Sequence, residues 1–303
     1  MTSAVLTAET DREAWLAERR KGIGASEISA VLGISPWESP FSLYHRKVHG
    51  WDLDLSAEME WGTRLEPAVI DKFADTHPEF RVVNDGLVVG DPEWMLATPD
   101  RMLYMADDTD VTRYPVGLLE VKTAHRADGW GDTGTDDIPV YYRAQVQWQM
   151  AVTGLHWAYV AVLIGGSDYR EYLIARDDKD IRVMVEAGRR FMARVAAGDA
   201  PPLDDHTATL TVVKQLHPDL DDAEVTVSDR IAAGYARACD MARKATAVKR
   251  RYEIALRAEM GRAKKATTDA GTFVASRSVY EVAEHTVTGH KVDRLNPPRS
   301  KKP

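Results

Sequence analysis

The stretch 96-LATPDRMLYMADDTDVTRYPVGLLEVK-122 decides how this chain is read. Met102–Met105 and Val116–Val121 are short apolar runs separated by polar, Asp-rich residues, the pattern of consecutive strands. Asp100 stands where the first run begins, and Glu120 follows after nineteen intervening residues, near the end of the second. A hairpin connection would set these carboxylates side by side. Side chains alternate faces along a strand, so Glu120 and Lys122 share one face while Val121 points into the core. Two acids and one ammonium then sit above an apolar floor.

Around this pair, Phe80–Val83, Leu87–Val89 and Leu96–Ala97 read as further strands of a meander. Trp157–Ile164 and Tyr169–Ala175 read as two more, joined by a Gly165-Gly166-Ser167-Asp168 turn. Helical spacing flanks the strands. Residues 11–34 read as helix, turn and helix, broken at Gly22 and Gly24, with Ser26 as N-cap of the second helix. Residues 39–49 suggest a short helix, and 58–76 a longer one with Met59, Leu65, Val69, Ile70 and Phe73 on one face. Helices are also expected over Pro139–Thr153, with Pro139 in the first turn, and over 177–197. The fold class implied is α/β, a mixed central sheet flanked by helices.

Gly198–Pro202 marks a boundary, so the core is expected over 1–202. A second region, 203–287, holds an acidic, irregular connector to 224, one long helix over 228–265, and a small hairpin of Thr272–Ala275 with Val279–Val282. The polar, basic tail 288–303 reads as disordered.

Composition narrows the chemistry. The chain has 303 residues, 44% hydrophobic and 28% charged, a globular balance. No apolar run approaches the roughly 20 residues that span a bilayer, so no membrane partner is expected. The acidic N-terminal stretch does not read as a signal peptide, and the expected location is the cytoplasm. Cys239 is the single cysteine, which excludes an internal disulfide and a cysteine-ligated zinc or iron–sulfur site. The net charge of −8 gives no global sign of nucleic-acid binding, so any such contact needs local positive charge or metal ions.

Two neighbouring carboxylates repel each other unless a cation compensates. A hard divalent ion such as Mg²⁺ answers this with one or two carboxylates, water and substrate phosphate. Such an ion polarises a phosphoryl oxygen and activates water, and Lys122 could orient that water or neutralise developing charge. Asp100 and Glu120 have company. Glu66 lies in Trp61-Gly62-Thr63-Arg64-Leu65-Glu66-Pro67 on the preceding helix, and Tyr142, Gln145 and Gln149 share a face of the following one.

The set Arg19…Gly24-Ala25-Ser26-Glu27, Trp61-Gly62…Glu66, Thr98-Pro99-Asp100, Leu119-Glu120-Val121-Lys122 and Tyr142…Gln145-Val146-Gln147 resembles the YqaJ-type viral recombinases. These are relatives of bacteriophage lambda exonuclease in the PD-(D/E)XK nuclease superfamily, and the likeness covers about residues 11–200. It implies a 5′-to-3′ exonuclease on double-stranded DNA ends, used in phage-type recombination inside a bacterial host. It implies Asp100, Glu120 and the Val121 carbonyl as ligands of Mg²⁺, with Mn²⁺ as a substitute, and Glu66 near the metal. Lys122 would position water, Gln145 would support the site, and Arg19 and Ser26 would hold the 5′-terminal phosphate. Gly24 stands where the lambda enzyme has threonine, and glycine is common there in YqaJ-type members. A single-strand annealing protein is the implied partner, and a homo-oligomeric ring the implied assembly.

Two alternatives stand beside this reading. One is an endonuclease of the same superfamily, of the restriction or junction-resolving kind. The other is a non-catalytic DNA-binding assembly module. Residues 241–265 carry nine Lys or Arg against two Glu, which suits either a DNA- or partner-docking helix or a solvated arm. The tryptophans Trp37, Trp51, Trp61, Trp130, Trp148 and Trp157 are expected mostly in core or cleft walls. His45 and His49 are expected on a helix surface, and the polar loop 126–137 is expected to connect or to line an entrance.

Overall fold

The computed structural model describes residues 12–51, 56–107, 114–219 and 222–281. Its main sheet has five strands in the spatial order β2 (Phe80–Val83), β5 (Arg101–Met105), β6 (Gly117–Ala124), β7 (Trp157–Ile164) and β8 (Asp168–Ala175). β6 runs antiparallel to β5, with Arg101 opposite Leu119, and parallel to β7, with Glu120 opposite Val160. The sheet is therefore mixed, as expected. The parallel step needs a crossover, supplied by α5 (Val140–Thr153). A smaller sheet orders β1 (Ile23–Gly24), β4 (Met95–Ala97) and β3 (Val88–Val89).

The alternation along β6 divides its neighbours. Leu119 and Val121 face α4 (Ala57–Thr76), where Val69, Ile70 and Phe73 complete a buried cluster with Leu103 and Ala161. Leu118 faces α5 and packs with Val146, Met150, Val160, Val162 and Ile174. Burying one such aliphatic side chain stabilises the fold by about 1.5–3 kcal/mol. The far side of α5 carries Trp148, which packs with Ile23, Ile28, Leu43, Met95, Met184 and Phe191. Its indole N–H reaches the carbonyls of Ile23 and Leu96 at 3.2 and 3.1 Å, joining α5 to the small sheet. α1 (Arg12–Arg20), α2 (Ile28–Val31), α3 (Pro40–His49) and α6 (Asp178–Ala197) complete this layer.

Several expectations are corrected. Both helices expected in the 11–34 segment are present as α1 and α2, but more than a turn links them. Ile23 and Gly24 pair with Met95 and Leu96, Ala25–Glu27 form a 3₁₀ turn, and α2 has four residues. Gly22 permits this, because a Cβ there would meet the Trp94 carbonyl at 2.2 Å. Ser26 lies inside the 3₁₀ turn and caps nothing; Gly24 occupies its N-cap, with its N–H taken by Glu27. Pro139 is the N-cap of α5 rather than a first-turn residue.

The 203–224 segment is not irregular throughout. It contains α7 (Thr207–Leu216), whose Val212 and Thr209 are buried, with the Thr209 hydroxyl 2.7 Å from that of Ser39. The chain divides after His217 rather than at 202, because α7 packs on α3. The second unit holds α8 (Asp229–Met260), which ends before Gly261 and not at 265. Its hairpin joins β9 (Lys265–Thr267) to β10 (Phe273–Ser276), so the strand expected at 272–275 pairs with one that precedes it; residues 279–281 are in no strand, and Val282 lies outside the described residues. The tail 288–303 lies outside the described residues.

Candidate active site

Asp100 immediately precedes β5, and the antiparallel register brings it level with the middle of β6. Its Oδ2 accepts the Val121 backbone N–H at 2.7 Å. Glu120 projects from β6 towards α5 and is 2% exposed. One Glu120 oxygen accepts from both Lys122 Nζ and Gln145 Nε2, and the other accepts from Gln149 Nε2 at 2.6 Å. Gln145 and Gln149 are one helical turn apart, so a single face of α5 grips the carboxylate from above. Lys122 Nζ also stands 4.9 Å from the centre of the Tyr142 ring, a cation–π contact. Glu66, on α4, receives Arg101 at 3.4 Å, and Arg101 also donates to the Asp100 backbone carbonyl.

The electrostatics are those of crowded anions. Burial pushes the Asp100 carboxyl well above the usual carboxylate range, and the charges of Glu120 and Glu66 push the same way. Lys122 and the Val121 N–H oppose them. Burial works against the Lys122 ammonium, but Glu120 and Asp100 outweigh it and hold that group above the ordinary lysine range.

Among the described residues no three or more His, Cys, Asp or Glu side chains are grouped as a ready cation cage. The donor chemistry nevertheless fits a hard divalent ion. The half-buried Asp100 lies beside the buried Glu120, whose charge opposes its ionisation, and Lys122 and the Val121 N–H offset this in part. The Gln149 Oε1 atom, whose sister nitrogen holds Glu120, has no hydrogen-bond partner. Asp100, Glu120 and Glu66 are the side chains that would hold such an ion.

A second polar centre packs against α5 through the 3₁₀ turn. Arg19 donates to the Ser26 hydroxyl at 2.9 Å and lies over the Trp15 ring at 4.5 Å. Glu27 is wholly enclosed. It accepts from the Gly24 N–H, from Lys47 and from Arg46, each at 2.8 Å. Arg46 also binds Glu38 at 2.8 Å. Burial raises the Glu27 carboxyl, but Lys47, Arg46 and Arg19 overcome it and hold it down at about 2. Burial lowers the Arg19 guanidinium. Three cations thus face two carboxylates, which leaves one positive charge in excess. A Cβ on Gly24 would come within 3.1 Å of the Arg19 guanidinium, so glycine leaves room for this packing.

The structure brings Asp100, Glu120, Lys122 and Gln145 into one connected network, with Glu66 at its edge through Arg101. It pairs Arg19 with Ser26 in a separate pocket. Sequence reasoning quoted Glu27 without giving it a role and passed over Glu38, Arg46 and Lys47. The signal was there in Glu27, an acid between Ala25 and Ile28, residues of a core that tolerates a charge only with partners.

Residues 14–156 match the family model of the YqaJ-like viral recombinase domain. The chain is 33% identical over 216 residues to the uncharacterized protein YqaJ of Bacillus subtilis (strain 168), across 68% of this chain and 64% of that protein. It therefore spans a little under two thirds of that relative's length. Among solved structures it is similar to an alkaline exonuclease, LHK-Exo, from Laribacter hongkongensis, at 19% identity and a TM-score of 0.47, covering 68% of this chain and 98% of that one. It is also similar to a phage related exonuclease from Haemophilus somnus 129PT, at 10% identity and a TM-score of 0.41, covering 64% and 96%.

Proposed function

Starting from a chain whose residues 14–156 match the model of the YqaJ-like viral recombinase domain, we propose that the protein is a metal-dependent exonuclease. In this reading it degrades linear double-stranded DNA from 5′ to 3′ and leaves a 3′ single strand for phage-type recombination. The observation that carries the proposal is the Asp100–Glu120–Lys122 network, in which the buried Glu120 is gripped by Gln145 and Gln149.

Mg²⁺, or Mn²⁺ in its place, would supply Lewis-acid polarisation of the phosphoryl oxygen and a water of lowered pKa. Asp100, Glu120, the Val121 carbonyl and Glu66 are assigned to hold it. Gln145 and Gln149 fix the Glu120 rotamer, so the carboxylate does not reorganise as charge develops. Lys122 stays protonated and acts as a donor, which orients the attacking water or neutralises the transition state. Arg19 and Ser26 take the 5′-terminal phosphate, where the guanidinium supplies charge-assisted hydrogen bonds and the pocket's excess positive charge favours an anion.

This phosphate pocket favours an end-recognising exonuclease over an endonuclease, and the full acidic set favours catalysis over a non-catalytic module. The deciding assay compares end-labelled linear duplex with closed circular duplex, each with Mg²⁺ or EDTA. Mononucleotide release from linear DNA alone supports the reading, while cleavage of the circle moves it to the endonuclease class. A single-strand annealing partner, a ring around DNA and a cytoplasmic location inside a phage-bearing host belong to the same proposal. Among the described residues no helix is long and apolar enough to cross a membrane. Light scattering with and without DNA measures the ring, and a monomer in both removes it.

A further inference from the structure

A series of aromatic rings leads outward from the carboxylate network. Tyr142, beneath Lys122, is backed by buried Trp130 at 5.6 Å. Trp37 lies 5.9 Å from Tyr142 and meets Tyr141 edge-on at 4.9 Å and 78°. Trp37 is 61% exposed, against the usual burial of so large an apolar residue.

Its loop is held firmly. The Ser35 hydroxyl accepts the backbone N–H groups of Trp37 and Glu38, both at 3.2 Å. The Ser35 carbonyl accepts from His206 at 3.2 Å, and Glu38 is clamped by Arg46. A pre-organised loop therefore presents an apolar, electron-rich ring to solvent, only one ring away from the half-buried Lys122 ammonium. That combination suits a ligand with a flat face and an anionic tail.

We propose that Trp37, seated on Tyr141, is a stacking subsite for an unpaired nucleobase whose phosphate is directed towards Lys122. This rests on the nuclease reading above and deepens it by assigning a base-contacting residue. Stacking tolerates any sequence, because every base has a π-face, as a non-specific end-processing site requires. Tyr141, edge-on to the indole, fixes its plane, so the base enters at a set tilt.

The test is a double-perturbation binding measurement on the full chain. Fluorescein-labelled duplexes with a 5′-phosphate carry either natural nucleotides or one abasic residue at the first, second or third position of the 5′ strand. Affinity is read by anisotropy with Ca²⁺ in place of Mg²⁺. For wild type, one abasic position should weaken binding by roughly 5- to 100-fold, the range of a lost base–aromatic stack. Trp37→Ala should weaken binding to the natural duplex by a similar factor, yet add almost nothing on that abasic duplex. Trp37→Phe should retain most of the affinity, and matching thermal melts should show that Trp37→Ala is folded. Losses that multiply at every abasic position, or an alanine variant that binds like wild type, overturn the subsite. A wild-type chain that binds none of the duplexes overturns the nuclease reading as well, so the two failures are distinguishable.

Discussion

Glu27→Gln should destabilise the first unit severely although it changes one atom. The amide can still accept the Gly24 N–H, but it leaves Lys47 and Arg46 without their shared anion in a dry setting. The carboxyl falls from 4.5 to about 2 on folding. At about 1.4 kcal/mol per pH unit this corresponds to about 3.5 kcal/mol, within the range of about 3–5 kcal/mol for breaking a buried ion pair. The gain is unequal between the partners. Burial dominates at Lys47 and draws its ammonium below the ordinary lysine range, whereas three cations converge on Glu27.

For a unit of this size, about 2–4 °C of melting temperature per kcal/mol gives a loss of about 7–14 °C. The pH dependence has a definite sign. A carboxyl whose pKa is depressed by folding contributes its stability above the unfolded value of 4.5 and loses it as pH falls towards about 2. The gap between wild type and variant should therefore be level from about pH 5 to 8 and narrow below about pH 4.5. Urea titrations of both proteins across this range measure it. A gap under about 1 kcal/mol at pH 7, or one that stays constant into acid, would refute the assignment of Glu27 as the anchor of this pocket.

Asp100→Asn should abolish cleavage and, in EDTA at pH 7, raise the melting temperature, because it removes a carboxyl whose ionisation is opposed by burial and by the charges of Glu120 and Glu66; a variant that melts below wild type in EDTA contradicts this. Divalent ions should then stabilise wild type and leave the variant unmoved. Lys122→Ala should lower kcat at least tenfold while DNA affinity changes far less, since its interaction is worth most in the transition state; lost affinity with unchanged kcat would make it a plain phosphate contact. Arg19→Ala should erase most of the preference for 5′-phosphorylated over 5′-hydroxyl duplex in a digestion time course, and equal wild-type rates on both ends remove the pocket from the account. Ca²⁺ should support binding with little cleavage, because its looser coordination shell positions water poorly; comparable turnover in gel assays with Ca²⁺ and Mg²⁺ counts against this.

The carboxylate network was legible because its parts obey local rules. Alternation along 116–122 put Glu120 and Lys122 on one face, and helical spacing put Gln145 and Gln149 on another. Ser26 was misjudged as a helix cap because its hydroxyl is adjacent to a helical run, while its actual partner, Arg19, is seven residues back across a glycine-broken turn. α7 was missed because acids at 204, 205, 219, 221, 222 and 224 surround a short Thr/Val/Leu helix whose inward face is set by α3. The hairpin was displaced because β9 is Lys-Ala-Thr, with no apolar run to announce it. Trp130 and Trp148 are buried as expected, whereas Trp37 and Trp61 are exposed, and no periodicity distinguishes a core tryptophan from a surface one.

β6 has a further consequence for how this lineage can change. Its odd positions fill the space beneath α4 and its even positions supply Glu120 and Lys122, so deleting one residue exchanges the two sets. Glu120 would then be driven in among Val69, Ile70 and Phe73, and an aliphatic side chain would face Gln145 and Gln149. Variants that lose the proposed chemistry and keep the fold should accordingly carry point replacements in this strand, with its length preserved, while insertions are tolerated in the connections on either side.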